Sequence, residues 1–177
     1  YGCLDCGGDG DCLFHCISYA INIINNDIEY DSKILREHIS ESLTQERYEQ
    51  LIEIYKIMNQ ADDFYESWKP EEMTIDKFKN ILIEGGNEYW GDFLVLSLIK
   101  EYLDINIIIL NSNENESQYY HYPLFYEYDN NIKTIILLYE NESHFKLVGH
   151  FQEQNMITFF DAKTIPKEIL KLIGHLR

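Results

Sequence analysis

The sequence predicts an α+β fold in which a central, mostly antiparallel sheet is flanked by helices. Two observations support this prediction. Apolar residues recur at helical spacing through the first half of the chain, whereas short β-branched runs between polar turns fill much of the second half. Because no repeat or flexible linker divides the 177 residues, we expect a single domain over 1–177.

The predicted helices each have an apolar stripe and recognisable ends. Asp31 and Thr74 are expected N-caps, Gly85-Gly86 ends the fourth helix, and Pro166 suits the first turn of the last. In chain order the predicted helices cover about residues 13–24, 32–43, 48–58, 75–84, 91–102 and 166–176. The connection 64–72 is predicted to be irregular.

The predicted strands follow the fifth helix. Segment 105–110 is nearly all apolar, as expected for a central strand that is buried on both faces. Further strands are predicted at 119–126, which Pro123 weakens, and at 134–139, 144–151 and 156–160.

The segment 7–17 joins a glycine-rich turn to a cysteine at the start of the first helix. The free N–H groups and the positive end of a helix favour a thiolate over a thiol, so Cys12 is a candidate nucleophile. The N–H groups of the loop before it, at Gly10 and Asp11, are candidate oxyanion donors.

Composition excludes several classes of protein. The net charge of -17 argues against nucleic-acid binding, which needs clustered Lys and Arg, and favours a basic partner or serves solubility alone. No apolar run has the length of a membrane span, and because no charged segment followed by an apolar one stands near the start, we expect a protein that is not secreted. The cysteines all lie near the N-terminus, at Cys3, Cys6, Cys12 and Cys16, so we expect reduced thiols in a cytoplasmic protein.

A cysteine nucleophile needs a general base, which is usually histidine. His144 is the best candidate, because it opens a strand directly after a short polar loop. His150 has the same parity in that strand and is the alternative. We expect structural roles for His15, His38 and His121.

Three blocks of sequence carry a more specific signal. They are Gly8-Asp9-Gly10-Asp11-Cys12-Leu13-Phe14, then Tyr89-Trp90-Gly91-Asp92 followed by 105–110, and finally 135–138 leading into 143–148. In this order they resemble the D-G-x-C-L-F signature, the W-G helix with the central strand, and the H-[YF]-x-L-V segment of the ovarian tumour (OTU) cysteine proteases, which are deubiquitinases. The resemblance covers about half of the chain.

The resemblance implies a papain-like fold and cleavage of the isopeptide bond behind the C-terminal glycine of ubiquitin. Cys12 would attack the carbonyl, and His144 would act as base and then as acid. Ubiquitin or polyubiquitin chains are the implied partners, with ubiquitin-like modifiers as further candidates, and no cofactor or metal is implied. We expect a monomer, and the Ile-, Asn-, Tyr- and Lys-rich composition suggests an AT-rich source such as a large virus.

The resemblance leaves the acid that orients His144 open. Family members often carry Asp or Asn two residues after the histidine, but Lys146 stands there and cannot accept a hydrogen bond. The motif makes Asp9 the first candidate, although a turn-forming role suits Asp9 almost as well. Asp161 is the second, because a hairpin turning near 152–154 would bring it opposite His144, and Asn141 is a distant third.

Other functions fit the sequence less well than a protease. The cysteine count suits zinc, but zinc ligand pairs usually lie farther apart in sequence. An EF-hand calcium site is not expected, because Gly7 and Cys16 stand at positions where such a loop needs oxygen ligands. A non-catalytic ubiquitin-binding module of the same fold remains the main alternative.

Overall fold

The structure is a computed structural model that describes residues 1–23, 29–86, 88–112, 119–121 and 128–174. Within these ranges the helices are α1 (Cys12–Asn22), α2 (Ser32–Ser42), α3 (Gln45–Gln60), α4 (Ile75–Glu84), α5 (Val95–Leu103) and α6 (Lys167–Gly174), with a 3-10 turn at Pro70–Glu72. The strands are β1 (Gly2–Leu4), β2 (Asn106–Ser112), β3 (Tyr119–His121), β4 (Thr134–Glu140), β5 (His144–Gln152), β6 (Asn155–Ile157) and β7 (Phe159–Phe160).

The predicted helices are confirmed, and two of their caps form as expected. The side chains of Asp31 and Thr74 accept hydrogen bonds from the third backbone N–H beyond them, at 2.7 and 3.3 Å. Helix α5 begins later than predicted, because the Asp92 carboxylate accepts the N–H groups of Leu94 and Val95 and so caps the helix from outside it. Parts of three predictions, at 24, 122–126 and 175–176, lie outside the described residues.

The sheet confirms the prediction of a central, mostly antiparallel sheet. Its strands follow the order β1-β5-β4-β2-β3, and the one parallel pair among the described strands is β2 with β4. The last strand prediction was wrong in one respect, because 156–160 forms two strands rather than one. Strand β5 leaves β4 after Leu147 to pair with β6, and β7 takes the place beside β4 that β5 has left.

The core lies on both faces of this sheet. One face of the central strands packs against α1 to α5 in the large core, through Ile107 and Ile109 of β2. The opposite face, including Ile108, packs against α6 in a smaller core. The expectation that segment 105–110 is buried on both faces is therefore confirmed.

The helices and the loop before α1 meet at one buried cation. Arg36 on α2 is 2% exposed and donates from Nε and Nη2 to a carboxylate oxygen of Asp11, at 2.8 and 2.6 Å. It also donates to the carbonyls of Leu82 and Tyr89, and its guanidinium lies 3.8 Å from the ring centre of Phe14. One side chain thus ties α2 to α4, to the loop before α5 and to the first turn of α1.

We expect Arg36→Met to lower the free energy of unfolding by about 3–5 kcal/mol, because it strands a carboxylate and two carbonyls in the interior. Urea denaturation at pH 7 measures this difference. Arg47→Met is the control, since Arg47 pairs with the half-exposed Glu101 and its loss should cost about 1 kcal/mol or less. Equal losses for the two variants would contradict a special role for Arg36.

Candidate active site

The loop before α1 is a tight turn held in a left-handed conformation. Asp9 and Gly10 have φ of 59° and 82°, and the Asp11 N–H donates to the Gly8 carbonyl at 3.2 Å. A Cβ on Gly10 would lie 2.4 Å from the Gly86 carbonyl oxygen, so only glycine fits there. Asp9 is tolerated, because Asp adopts this conformation more readily than most residues.

Asp11 stands at the N-cap of α1 but does not cap it. Its carboxylate is bound instead by Arg36 and by the Gly86 N–H, and its side chain makes no capping hydrogen bond. The first N–H groups of a helix have no intrahelical partner. Those of Cys12 and Leu13 therefore remain near the Cys12 sulfur, where they favour its thiolate form.

Cys12 lies at the start of α1 against strand β5. The Phe145 N–H donates to Cys12 Sγ at 3.5 Å, so the backbone next to His144 touches the sulfur. Burial raises the pKa of the Cys12 thiol, and the nearby Asp11 charge adds to that effect, while the three surrounding N–H groups oppose it. Burial therefore favours the thiol form of Cys12, from which a base must take the proton before the sulfur can act as a nucleophile.

The candidate base, His144, is held by a residue that the sequence patterns did not single out. His144 Nε2 lies 3.1 Å from Asp5 Oδ1. Because a carboxylate only accepts, Nε2 is the donor in this contact, so in the neutral ring Nδ1 has the lone pair that a general base requires. The same oxygen of Asp5 accepts the Gly7 N–H, which is the largest cause of the lowered pKa of Asp5, with His144 second.

Strand β1 explains why Asp5 reaches His144. Leu4 pairs with Leu147 in the antiparallel β1–β5 ladder, so the next residue, Asp5, continues toward Lys146. Residues two apart across such a pair are diagonal neighbours on one face, which places Asp5 beside His144. The carboxylate that contacts His144 thus comes from the end of the neighbouring strand, opposite Lys146, which cannot accept a hydrogen bond. Lys146 itself pairs with Glu140 at 2.6 Å.

The structure does not bring the two predicted acids to His144. Within the described chain the Asp9 carboxylate makes no hydrogen bond or ion pair, which agrees with its turn-forming role. Asp161 follows Phe160, which pairs with Thr134 at the start of β4, whereas His144 pairs with Glu140 at the end of that strand. At about 3.3 Å per residue, the two ends of β4 lie about 20 Å apart. The hairpin at 152–155 forms as predicted, but β7 then turns to β4 rather than continuing along β5.

Other predicted site residues are placed as follows. The Asp11 N–H is engaged by Gly8, so Asp11 is not a free oxyanion donor, whereas no described residue accepts the Gly10 N–H through its backbone. His150 stacks on Tyr1 with ring centres 4.6 Å apart, at the opposite end of β5 from His144.

The remaining cysteines are free thiols, and Cys16 is the buried one among them. Its Sγ donates to the Phe145 carbonyl, and the neighbouring Cys6 followed by burial raises its pKa strongly. No three His, Cys, Asp or Glu side chains of the described ranges are grouped as metal ligands, which gives the zinc alternative no support. No helix in the same ranges is both long and apolar enough to cross a bilayer.

Comparison with known proteins gives a family match for the sequence and several solved structures with a similar fold. The model of the OTU-like cysteine proteases matches residues 7–151. An OTU domain solved in complex with ubiquitin is similar in fold, with a TM-score of 0.56 and 16% identity over 99% of this chain and 86% of its own. No curated protein matches the sequence.

Two further solved structures come from Wolbachia pipientis wMel. An OTU deubiquitinase from this organism gives a TM-score of 0.53 with 11% identity, over 96% of this chain and 94% of its own. An OTU deubiquitinase from the same source bound to ubiquitin gives a TM-score of 0.52 with 13% identity, over 83% and 94%. At these identities the likeness shows a shared fold.

We expect Cys12 alkylation by iodoacetamide to accelerate up to about tenfold per pH unit between about pH 6 and 9, because burial keeps the thiol protonated and only the thiolate reacts. Mass spectrometry of the Cys12 peptide gives the rate, and the Cys16 peptide in the same digest is the internal control that should stay unmodified. A rate that is already constant below pH 7 would indicate a resting thiolate–imidazolium pair instead.

Proposed function

The chain belongs to the OTU-like cysteine protease family, and from that premise we propose that it is a deubiquitinase that hydrolyses isopeptide bonds at the C-terminus of ubiquitin. One observation carries the proposal. Cys12 Sγ touches the backbone of Phe145, directly after a histidine whose Nε2 is held by Asp5. The fold is also shared with OTU domains that were solved with ubiquitin bound.

In the first half of the proposed reaction, His144 Nδ1 takes the proton from the Cys12 thiol. The thiolate attacks the carbonyl carbon of the last glycine of ubiquitin and forms a tetrahedral oxyanion. The imidazolium then gives its proton to the lysine amine as the C–N bond breaks. The products are a free amine and a thioester between ubiquitin and Cys12.

In the second half, water replaces the amine. His144 Nδ1 accepts a proton from the water as its oxygen attacks the thioester carbonyl. Collapse of the second tetrahedral intermediate releases the ubiquitin carboxylate, and the proton returns to Cys12. No cofactor enters either half of this scheme.

The oxyanion would form beside the first turn of α1. The N–H groups of Gly10 and Cys12 lie in this loop without a backbone acceptor among the described residues. Because Asp11 is committed to Arg36 rather than to capping, the helix end stays open for a developing negative charge. The ion pair between Arg36 and Asp11, which holds the loop in place, therefore also leaves the N–H groups at the start of α1 available to the oxyanion.

A non-catalytic ubiquitin-binding module is the second candidate, and one observation favours it. Burial raises the pKa of Cys12, and the hydrogen bond on its sulfur comes from a backbone N–H rather than from the imidazole. Such a thiol would remain inert unless substrate binding brought the imidazole onto it. The following two experiments separate the candidates.

We expect Asp5→Ala to lower kcat on a fluorogenic ubiquitin substrate by about 10- to 100-fold with little change in KM, because His144 loses its orientation but no substrate contact is removed. Asp5→Asn keeps an acceptor and should recover part of the rate. Cys12→Ala and His144→Ala should lose about 10⁴-fold or more.

Asp161→Ala is the matched control for Asp5→Ala and should stay within about twofold of the wild type. A large loss for Asp161→Ala with full activity in Asp5→Ala would overturn the assignment of the acid.

We expect a ubiquitin probe with a C-terminal electrophile to form a covalent adduct on Cys12, because a productive site delivers that carbon to the sulfur. Intact-mass and peptide analysis locate the adduct. Tight binding of the probe without an adduct would identify the protein as a binding module. Cys16→Ala should react as the wild type does.

A further inference from the structure

Two carboxylates flank His144. Asp5 comes from the end of β1, and its Oδ1 lies 3.1 Å from the imidazole Nε2. Glu140 ends β4 and stands directly opposite His144 in the β4–β5 ladder. Residues that oppose each other in an antiparallel pair have Cβ atoms about 5 Å apart on the same face of the sheet. Because β1 and β4 lie on opposite sides of β5, the two carboxylates approach His144 from opposite sides.

The turn between β4 and β5 keeps Glu140 in this position. Asn141 and Glu142 have φ of 52° and 55°, and the Ser143 N–H donates to the Glu140 carbonyl at 3.1 Å. Left-handed residues let such a turn close tightly while it follows the twist of the paired strands. The backbone therefore holds Glu140 beside His144, whatever the Glu140 side chain binds.

Glu140 is the less exposed of the two carboxylates. Its side chain is 28% exposed, whereas that of Asp5 is 58% exposed. Water and salt weaken the attraction between charges more strongly as exposure increases. An unpaired Glu140 would therefore compete with Asp5 for the imidazole, above all for the imidazolium that forms in the proposed reaction.

Lys146 occupies the Glu140 carboxylate. It follows His144 by two residues in β5 and so lies on the same face of that strand. Its Nζ lies 2.6 Å from Glu140 Oε2. This hydrogen bond is the largest cause of the raised pKa of Lys146, and the charges of Glu140 and Asp5 add to it. Lys146 is thus a cation at neutral pH whose main partner is Glu140.

We propose that Lys146 is a positioning residue that determines which carboxylate holds His144, an inference that rests on the proposed function. By pairing with Glu140, Lys146 leaves the imidazole to Asp5, which binds Nε2 and so presents Nδ1 as the base. Without Lys146, Glu140 would bind the imidazole from the β4 side and turn it away from Asp5. A lysine that cannot accept a hydrogen bond therefore acts on the imidazole through a neighbouring carboxylate.

We expect Lys146→Met to lower kcat on the fluorogenic ubiquitin substrate about tenfold with little change in KM, because the imidazole moves while no substrate contact is removed. Lys133→Met is the matched control, since Lys133 forms an exposed ion pair with Asp161 at 3.7 Å, and it should stay within about twofold of the wild type. A loss of less than about twofold for Lys146→Met overturns the inference.

The second step of the test removes the competing carboxylate. Methionine is about as long as glutamate and carries no oxygen, so we expect Glu140→Met alone to stay within about twofold of the wild type. The double variant Lys146→Met/Glu140→Met should recover most of the kcat that Lys146→Met loses. A purely structural ion pair predicts another pattern, in which each single variant loses as much as the double variant. That pattern, or a double variant that recovers nothing, overturns the inference.

A crystal structure of Lys146→Met gives a readout that does not depend on turnover. We expect an imidazole nitrogen of His144 to lie within hydrogen-bonding distance of a Glu140 oxygen and no longer within that distance of Asp5. An imidazole that stays on Asp5 overturns the inference, because any loss of kcat would then have another cause.

The same structure separates this inference from the proposed function. If the wild type neither cleaves ubiquitin nor forms the probe adduct, while His144 moves to Glu140 in Lys146→Met, the proposed function is wrong and the choice between carboxylates stands. If the wild type cleaves ubiquitin and Lys146→Met does so with the same kcat, the inference alone is wrong.

Discussion

Arg36 is the interaction on which the rest of this structure depends. A buried guanidinium is costly unless each of its donors finds an acceptor, and here the acceptors come from three separate parts of the chain. The socket is tight, since a Cβ on Gly85 would lie 2.4 Å from the Arg36 Nε. Satisfying one side chain therefore fixes the relative positions of α2, α4 and the loop that carries Cys12.

This constraint shapes the chemistry of the neighbouring helix end. An aspartate at an N-cap would normally accept the first N–H groups of its helix. Here the Asp11 carboxylate accepts from Arg36 and from the Gly86 N–H instead. The first N–H groups of α1 are therefore left without a side-chain cap.

Much of the fold and part of the site could be predicted from the sequence. Long apolar stripes with Asp31 and Thr74 as caps give strong local signals, and the helices they predicted are present. The pairing of Cys12 with His144 stays a prediction from the motifs, and the structure places the backbone of Phe145, next to His144, against the Cys12 sulfur. The role of Asp5 was not predicted, because β1 is only three residues long. The position of Asp5 is set by the pairing of β1 with a strand that lies more than 140 residues away in sequence. Asp161 was misplaced for a related reason, since nothing local marks the point at which β7 turns to β4.

Strand β1 also bears on where the boundaries of the domain are drawn. The family match begins at residue 7, whereas Asp5, whose carboxylate contacts His144, comes before it and directly follows a strand that starts at Gly2. A recombinant fragment trimmed to the matched boundaries would keep every signature motif, Cys12 and His144, yet the His144 imidazole would lose its contact with Asp5. Inactivity of such a truncated piece would then reflect where the chain was cut and say nothing about the competence of the intact protein.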